Sequence, residues 1–415
     1  MNIAILGSGI SGLSVGQLLS EKRHNTVLFE QQSEIGGLIK CERIQDCLFH
    51  KVGGHVFNSK NKEVFDWFWS FFDRDKEFYK IKRKAKILFD GKIIGYPIEN
   101  YLYLLPNDNI KNIFSELIGI QKQEYKNPFN YENFEKFLKE NFGETLYNIY
   151  FESYNRKIWN TRLDLIPMDW LEGKLPMPDF KEIVLSNVLR EEEHKMVHST
   201  FYYPKNDGSQ FIVNRLSKNL IINKSYNPND FKVETKKLII GEQEFDKLIY
   251  TGNVKKMPEG IRVLLDNGLK EQVNYLKSNG TSNLFCETDE MDISWLYIPQ
   301  NFTKAHRIIY TGNFSESNNS GSQRKTCVVE FSGKVSIEDM SNEIKKLPGN
   351  LSPISFNYEE NSYIIQDKNT RKLIQKIKNI LEEKNIFLLG RFAEWEYYNM
   401  DKAIEAAMNL TKRVE

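Results

Sequence analysis

Asn2 to Leu6 (NIAIL) is a short apolar run that leads directly into Gly7-Ser8-Gly9-Ile10-Ser11-Gly12, a G-x-G-x-x-G element. A helical stretch, Leu13 to Leu19, follows, and Asn25 to Phe29 (NTVLF) reads as a second strand ending at Glu30. Strand, glycines, helix, strand and acid in this register constrain the chain to a unit built around a dinucleotide. Gly7 permits the tight turn, Gly9 lets backbone approach a pyrophosphate, and Gly12 lets helix and strand pack closely. The helix start, with Ser11 in its first turn, offers free N–H groups and a positive dipole end to phosphate. Glu30 is placed to accept from both ribose hydroxyls, which argues for an unphosphorylated adenosine ribose, as in FAD or NAD.

The choice between FAD and NAD follows a few residues later. Ser33-Glu34-Ile35-Gly36-Gly37-Leu38 comes directly after the acidic residue. The pair Gly36 and Gly37, with Leu38, gives backbone a second close approach to a long cofactor. This front resembles the FAD-binding oxidoreductases of the amine-oxidase and glutathione-reductase type.

A chain of 415 residues can bury a large core in two or three domains. Its 57 basic and 56 acidic residues nearly cancel, which gives no electrostatic case for a nucleic-acid or membrane partner. No apolar run approaches the ~20 residues of a spanning helix. The first residues enter a strand at once, and Cys41, Cys47, Cys286 and Cys327 show no C-x-x-C spacing. A soluble cytoplasmic protein with reduced thiols is therefore expected.

Glu63 to Phe72 reads as an apolar helix, and 85–98 as a hairpin turning at Asp90-Gly91. Residues from about 100 to 195 carry mostly helical periods, broken near Pro167, Pro176 and Pro178. Strand signals fill Phe285 to Phe331. Asn385 to Gly390 is a buried-type strand, and Met400 to Val414 a closing helix. The polar run Ser315 to Lys325 reads as a mobile loop. The expected fold is α/β: a Rossmann-like FAD-binding domain with an inserted helical domain and an antiparallel β-sheet domain. The FAD-binding domain takes residues 1–84, 200–255 and 384–415. The helical insertion takes 100–195, and the antiparallel-sheet substrate domain takes 85–99 with 256–383.

Further elements resemble one family along the whole chain. They are Gly53-Gly54-His55-Val56-Phe57; Tyr96-Pro97-Ile98-Glu99-Asn100; Phe151-Glu152-Ser153-Tyr154 with Lys157-Ile158-Trp159; and Trp295-Leu296-Tyr297 with Arg307. Tyr363 with Asp367-Lys368-Asn369 follows, then Gly390-Arg391-Phe392, Trp395, Tyr397-Tyr398 and Met400-Asp401. In this order and spacing they are similar to the flavin-dependent UDP-galactopyranose mutases. The resemblance implies a nucleotide-sugar mutase that interconverts pyranose and furanose forms for cell-surface polysaccharide biosynthesis. In that chemistry N5 of reduced flavin attacks the anomeric carbon, the diphosphate leaves and later returns, and no net oxidation occurs. The cofactor implied is FAD, active when reduced. Without a second G-x-G-x-x-G, the external reductant, NAD(P)H, would dock transiently at the same cleft.

The same resemblance assigns roles. A leaving diphosphate calls for cations and phenols aimed where charge develops. Arg307 matches one clamp, and its fork suits phosphate oxygens. Lys174 falls where the family carries a second clamp arginine, and Arg162 lies near enough to substitute for it. Tyr154, Tyr363 and Tyr397 match diphosphate-binding tyrosines, and Tyr297 joins the substrate set. Trp159 either covers the substrate or anchors its helix. Gly54 and His55 pass against the flavin ring. Arg391 belongs near the flavin phosphate or ribityl chain, and Asn399 and Met400 open a helix facing the flavin's carbonyl end. His194 and His198 stand i,i+4 beside Glu191 to Glu193, but a solvated helix face explains them better than a metal. The rival reading of the same front is an FAD-dependent oxidase of the amine-oxidase or protoporphyrinogen-oxidase type, which needs an apolar, aromatic-caged site. The sugar, the base and the oligomeric state, homo-oligomer included, stay open.

Overall fold

A computed structural model describes residues 1–121, 131–168, 180–190, 199–227, 230–234 and 237–414. The N-terminal unit forms as its residue pattern requires. Strand β1 (Asn2–Leu6) runs into helix α1 (Ile10–Glu21), which returns to strand β2 (Asn25–Phe29). β1 and β2 pair in parallel with Leu6 beside Phe29, so both deliver their C-terminal ends to one edge. β1 lies at the centre of a five-stranded parallel sheet. Its neighbours are β2 and then Ile221–Asn223 on one side, and Lys247–Tyr250 and then Ile386–Leu388 on the other. The last helix, Met400–Val414, packs on α1. Apart from Asn2 every β1 residue is buried, the pattern of a parallel strand covered on both faces.

A second sheet has seven strands. Its order is Ser352–Ile365, Lys277–Thr288, Lys325–Ser332, Ala305–Ile309, Trp295–Tyr297, Ala85–Phe89 and Lys92–Gly95. All its pairings are antiparallel except that between Trp295–Tyr297 and Ala85–Phe89, so the expected antiparallel sheet is in detail mixed. The hairpin turns at Asp90 (φ 46°) and Gly91 (φ 73°), the doubly left-handed geometry that the Asp-Gly pair favours. Helices between Asn107 and Leu189 stack on this sheet's near end around a core that includes Phe134, Phe137, Leu146 and Tyr150.

The run from Ser315 to Lys325 is not a loose loop. Asn318 and Asn319 are buried, and their amides donate to the Thr311 and Gly312 carbonyls at 2.8 and 2.9 Å. Asn319 also accepts from the Thr326 N–H at 2.9 Å. A polar composition here reflects side chains that satisfy buried backbone, which outweighs the preference of such residues for water.

Two glycines of the first turn matter for different reasons. A Cβ on Gly12 would stand 2.0 Å from the Gly7 carbonyl oxygen, so the crossing of α1 over β1 excludes any side chain there. A Cβ on Gly9 would meet nothing nearer than the Gly37 Cα at 3.7 Å, an ordinary contact. Gly12→Ala should therefore cost about 1–3 kcal/mol or more in stability whatever is bound. Gly9→Val should melt near the parent temperature yet bind dinucleotide poorly. Melting curves and bound-flavin content of both variants check this contrast.

Candidate functional site

The C-terminal edge of the parallel sheet opens into a cavity of about 600 Å³. This is the usual crevice for a ligand in an open α/β sheet. One end is lined by Gly7, Ser8, Gly9, Ser11, Glu30, Gly36, Gly37 and Leu38. Gly12 supports this end from behind, through its contact with Gly7. Glu30 is only 8% exposed. One carboxylate oxygen accepts from Ser8 N at 3.0 Å and Ser8 Oγ at 2.6 Å; the other accepts from Gln32 N at 3.0 Å. Three of about four acceptor sites are thus filled, leaving one for a ligand hydroxyl rather than the two proposed from the sequence.

The opposite end is lined by Gly53, Gly54, His55, Val56, Arg83, Trp295, Tyr297 and Arg307, with Arg391, Tyr397, Asn399 and Met400 along the wall. His55 is held by its backbone, whose N–H donates to Nδ1 of buried His50 at 3.4 Å. That fixes His50 as the tautomer whose Nε2 donates to the Tyr203 hydroxyl, at 2.8 Å. Burial pushes the His50 pKa down to about 3. Burial, then the charges of Arg391 and Arg307, push His55 down to about 4. His55 is therefore a neutral ring with a solvent-shielded, unpartnered Nε2 beside the cavity. That arrangement suits packing against a flat ligand better than proton transfer near neutral pH.

Arg307 and Glu330 face each other in the register of adjacent strands and form an ion pair through Nε. Glu330 is 1% exposed and also receives His306 Nε2 at 3.3 Å. Burial alone would raise its pKa, but Arg307 and His306 hold it at about 2. Glu330 was not singled out in the sequence because its partner lies 23 positions away and only strand pairing joins them.

The aromatic residues converge in layers. Tyr397 and Tyr363 stack at 6.0 Å, and Trp159 meets both edge-on at 5.9 and 5.5 Å. Trp159 is thus an anchor among rings here, one of its two sequence readings. Tyr154 stands behind Tyr297, edge-on at 5.7 Å. Arg391 lies over the Tyr397 ring at 4.1 Å and donates to the Ser362 and Tyr398 carbonyls, while its Nε has no partner. Lys157, part of a quoted motif, turns out to brace the site. Its ammonium donates to the carbonyls of Ile298, Gln300 and Ala305 at 3.0, 2.6 and 3.0 Å, tying its helix to the Tyr297 and Arg307 strands. Burial lowers its pKa to about 8.

One expected residue does not join this cluster. Arg162 is 69% exposed and pairs with Asp164 at 2.9 and 2.6 Å, away from the cavity wall. Two residues of separation favour that local pair over a reach to the cavity. Lys174 lies outside the described residues, as do His194 and His198. Among the described residues no group of three or more His, Cys, Asp or Glu could hold a metal ion.

The family model of an NAD(P)-binding Rossmann-like domain matches residues 5–73. The UDP-galactopyranose mutase of Mycoplasma genitalium is 22% identical across 97% of this chain and 92% of that protein. A crystal structure of reduced UDP-galactopyranose mutase superposes with a TM-score of 0.85 at 21% identity, covering 100% of this chain and 93% of that one. Along nearly its whole length the chain is thus similar to UDP-galactopyranose mutases in sequence and fold. The dTDP-fucopyranose mutase of Escherichia coli is 28% identical over 42% of this chain and 46% of its own length. The two relatives differ in nucleotide and in sugar, so likeness to UDP-galactopyranose mutases names neither for this protein. The fold is wider than the mutases: a crystal structure of a "Putative protoporphyrinogen oxidase" from Exiguobacterium sp. 255-15 reaches a TM-score of 0.74 at 13% identity, covering 100% of this chain and 98% of that one.

The neutral histidines set a pH dependence with a definite sign. His50 and His55 ordinarily titrate near 6.5, so below that value the unfolded chain binds protons that the folded chain refuses. Their contribution to stability is full above pH 6.5 and is lost as pH falls towards about 4 and 3. Glu330 adds a lower window: its contribution is present above 4.5 and lost as pH falls towards about 2. Melting temperatures taken from pH 7 to 4 should fall, and His50→Gln should flatten that slope. An unchanged slope would contradict the buried neutral state.

Proposed function

We propose that the protein is an FAD-dependent nucleotide-sugar mutase that interconverts pyranose and furanose forms of a sugar carried on a nucleoside diphosphate. One observation carries this reading. A dinucleotide cradle and a cationic, phenol-bearing pocket share a single cavity, with Glu30 at one end and Arg307, Tyr297 and Tyr397 at the other. The cradle fits a flavin dinucleotide. Glu30 keeps an acceptor site, Gly9 leaves room above the turn, and the unpartnered Nε of Arg391 and Nε2 of His55 border the space. When bound and reduced, the flavin supplies a nucleophile for the anomeric carbon.

The chain's own residues supply the rest. Arg307 stays cationic beside Glu330 through Nε, so its terminal nitrogens are left to grip a diphosphate while it is detached from the sugar. Tyr297 and Tyr397 face the same space. The N-terminus of the last helix, at Asn399 and Met400, directs its dipole at the cavity. An oxidase of the protoporphyrinogen type shares the fold, but the charged pocket end favours a phosphate-bearing substrate over an apolar one. Under this reading the protein works in the cytoplasm, with NAD(P)H as reductant, and its product feeds cell-surface polysaccharide.

Reduced holoprotein mixed with UDP-galactose, UDP-N-acetylgalactosamine, UDP-arabinopyranose and dTDP-fucopyranose should convert at least one to its furanose form, read by chromatography. Arg307→Ala alone strands a buried carboxylate, so the cleaner variant couples it to Glu330→Gln. That pair should keep FAD and lower kcat/KM by about 10²–10³-fold, the order expected for loss of an oxyanion-stabilising donor. Parental kinetics in the double variant would remove Arg307 from the clamp.

A further inference from the structure

Arg83 lies in the two-residue link between strands Phe78–Lys82 and Ala85–Phe89, and no sequence motif marks it. Its backbone is fixed by Arg83 N donating to Ser199 O at 2.9 Å. Its side chain enters the cavity, where a terminal nitrogen donates to the Tyr297 hydroxyl and the guanidinium lies 5.1 Å from the Trp295 ring centroid and 5.7 Å from that of Tyr96. Its Nε is shielded from solvent and has no hydrogen-bond partner.

No carboxylate among the described residues pairs with Arg83. Four other half-buried cations each meet a carboxylate, and Lys157 and Arg391 are held by backbone carbonyls. Arg307 has Glu330, Arg215 has Glu77, Arg324 has Asp289 and Lys378 has Glu394. A guanidinium shielded from water costs free energy unless an anion meets it. Tyr297, the phenol that holds Arg83, stands directly opposite Arg307 in the antiparallel register. Opposed residues of such a pair present side chains on one face about 5 Å apart. Arg83 and Arg307 therefore flank one phenol, the first with no carboxylate partner among the described residues and the second with its charge already matched by Glu330.

We propose that Arg83 is an oxyanion-binding residue of the substrate cavity, which with Arg307 grips a phosphate or carboxylate group of the ligand. The nucleotide-sugar reading supplies only the identity of the molecule that carries the oxyanion. Two sources fit: the diphosphate itself, or a carboxylate on the sugar ring. Either is planar or fork-shaped enough for a guanidinium to bind through two N–H groups.

The test uses oxidised FAD-loaded protein and needs no turnover, so a failure to form furanose would leave it standing. Dissociation constants for UDP, UDP-galactose, UDP-galacturonic acid and uridine are measured by calorimetry on the parent, Arg83→Met and Arg83→Gln. Because the cation has aromatic neighbours and no carboxylate partner among the described residues, Arg83→Met should keep FAD and melt at or above the parent temperature. The oxyanion ligand should bind about 10- to 100-fold more weakly, and uridine unchanged. Equal losses for UDP and both sugar nucleotides assign Arg83 to the diphosphate; a loss confined to UDP-galacturonic acid assigns it to a sugar carboxylate. Dissociation constants all within twofold of the parent, or the failure of both variants to yield flavoprotein, would overturn the proposal by making Arg83 a structural cation.

Discussion

The cavity's chemistry depends on one buried carboxylate. Glu330 is almost fully enclosed, and a charge so placed persists only because Arg307 and His306 meet it. The pair does two things at once. It holds the Arg307 guanidinium at a fixed place on the sheet, and it spends that guanidinium's charge before any ligand arrives. Lys157, by gathering three carbonyls around Ile298, Gln300 and Ala305, keeps the strands that carry Arg307 and Tyr297 from separating. Arg307 and Tyr297 are thereby held in place, which is what the proposed clamp on a leaving group requires.

The two sheets divide the work. The parallel sheet ends in a glycine turn whose shape is set by the Gly12 contact with Gly7, and it presents Glu30 and a helix N-terminus to one half of the cavity. The seven-stranded sheet presents cations and phenols to the other half. Neither sheet alone makes the site. At their junction Arg83 and Arg391 line the cavity, and neither pairs with a carboxylate among the described residues.

What the sequence revealed was mainly local. The β1–α1–β2 unit, the Glu30 acid and the Asp90-Gly91 turn each depend on residues a few positions apart, and each is found where the pattern put it. Arg307, Tyr397 and His55 were singled out by their resemblance to family elements, and they line one cavity. Arg83, Glu330 and the bracing role of Lys157 were not legible, because strand register and contacts more than a hundred residues apart create them. Arg162 misled in the opposite way, since closeness in sequence to Lys174 counted for less than its pair with Asp164. Ser315 to Lys325 misled because asparagines that cap buried carbonyls look the same in a sequence as asparagines in water.

In the proposed mutase this cavity supports a leaving group and passes no electrons to or from the substrate. The most direct measurement follows the flavin spectrum and the product together under strict exclusion of oxygen. FAD-loaded protein is reduced once and then given excess of the nucleotide sugar it converts. The account predicts many turnovers of furanose formation while the flavin stays reduced, with turnover ceasing when air reoxidises it. Equal turnover with oxidised flavin, or a change in flavin redox state matched mole for mole by an oxidised or reduced sugar, would contradict it.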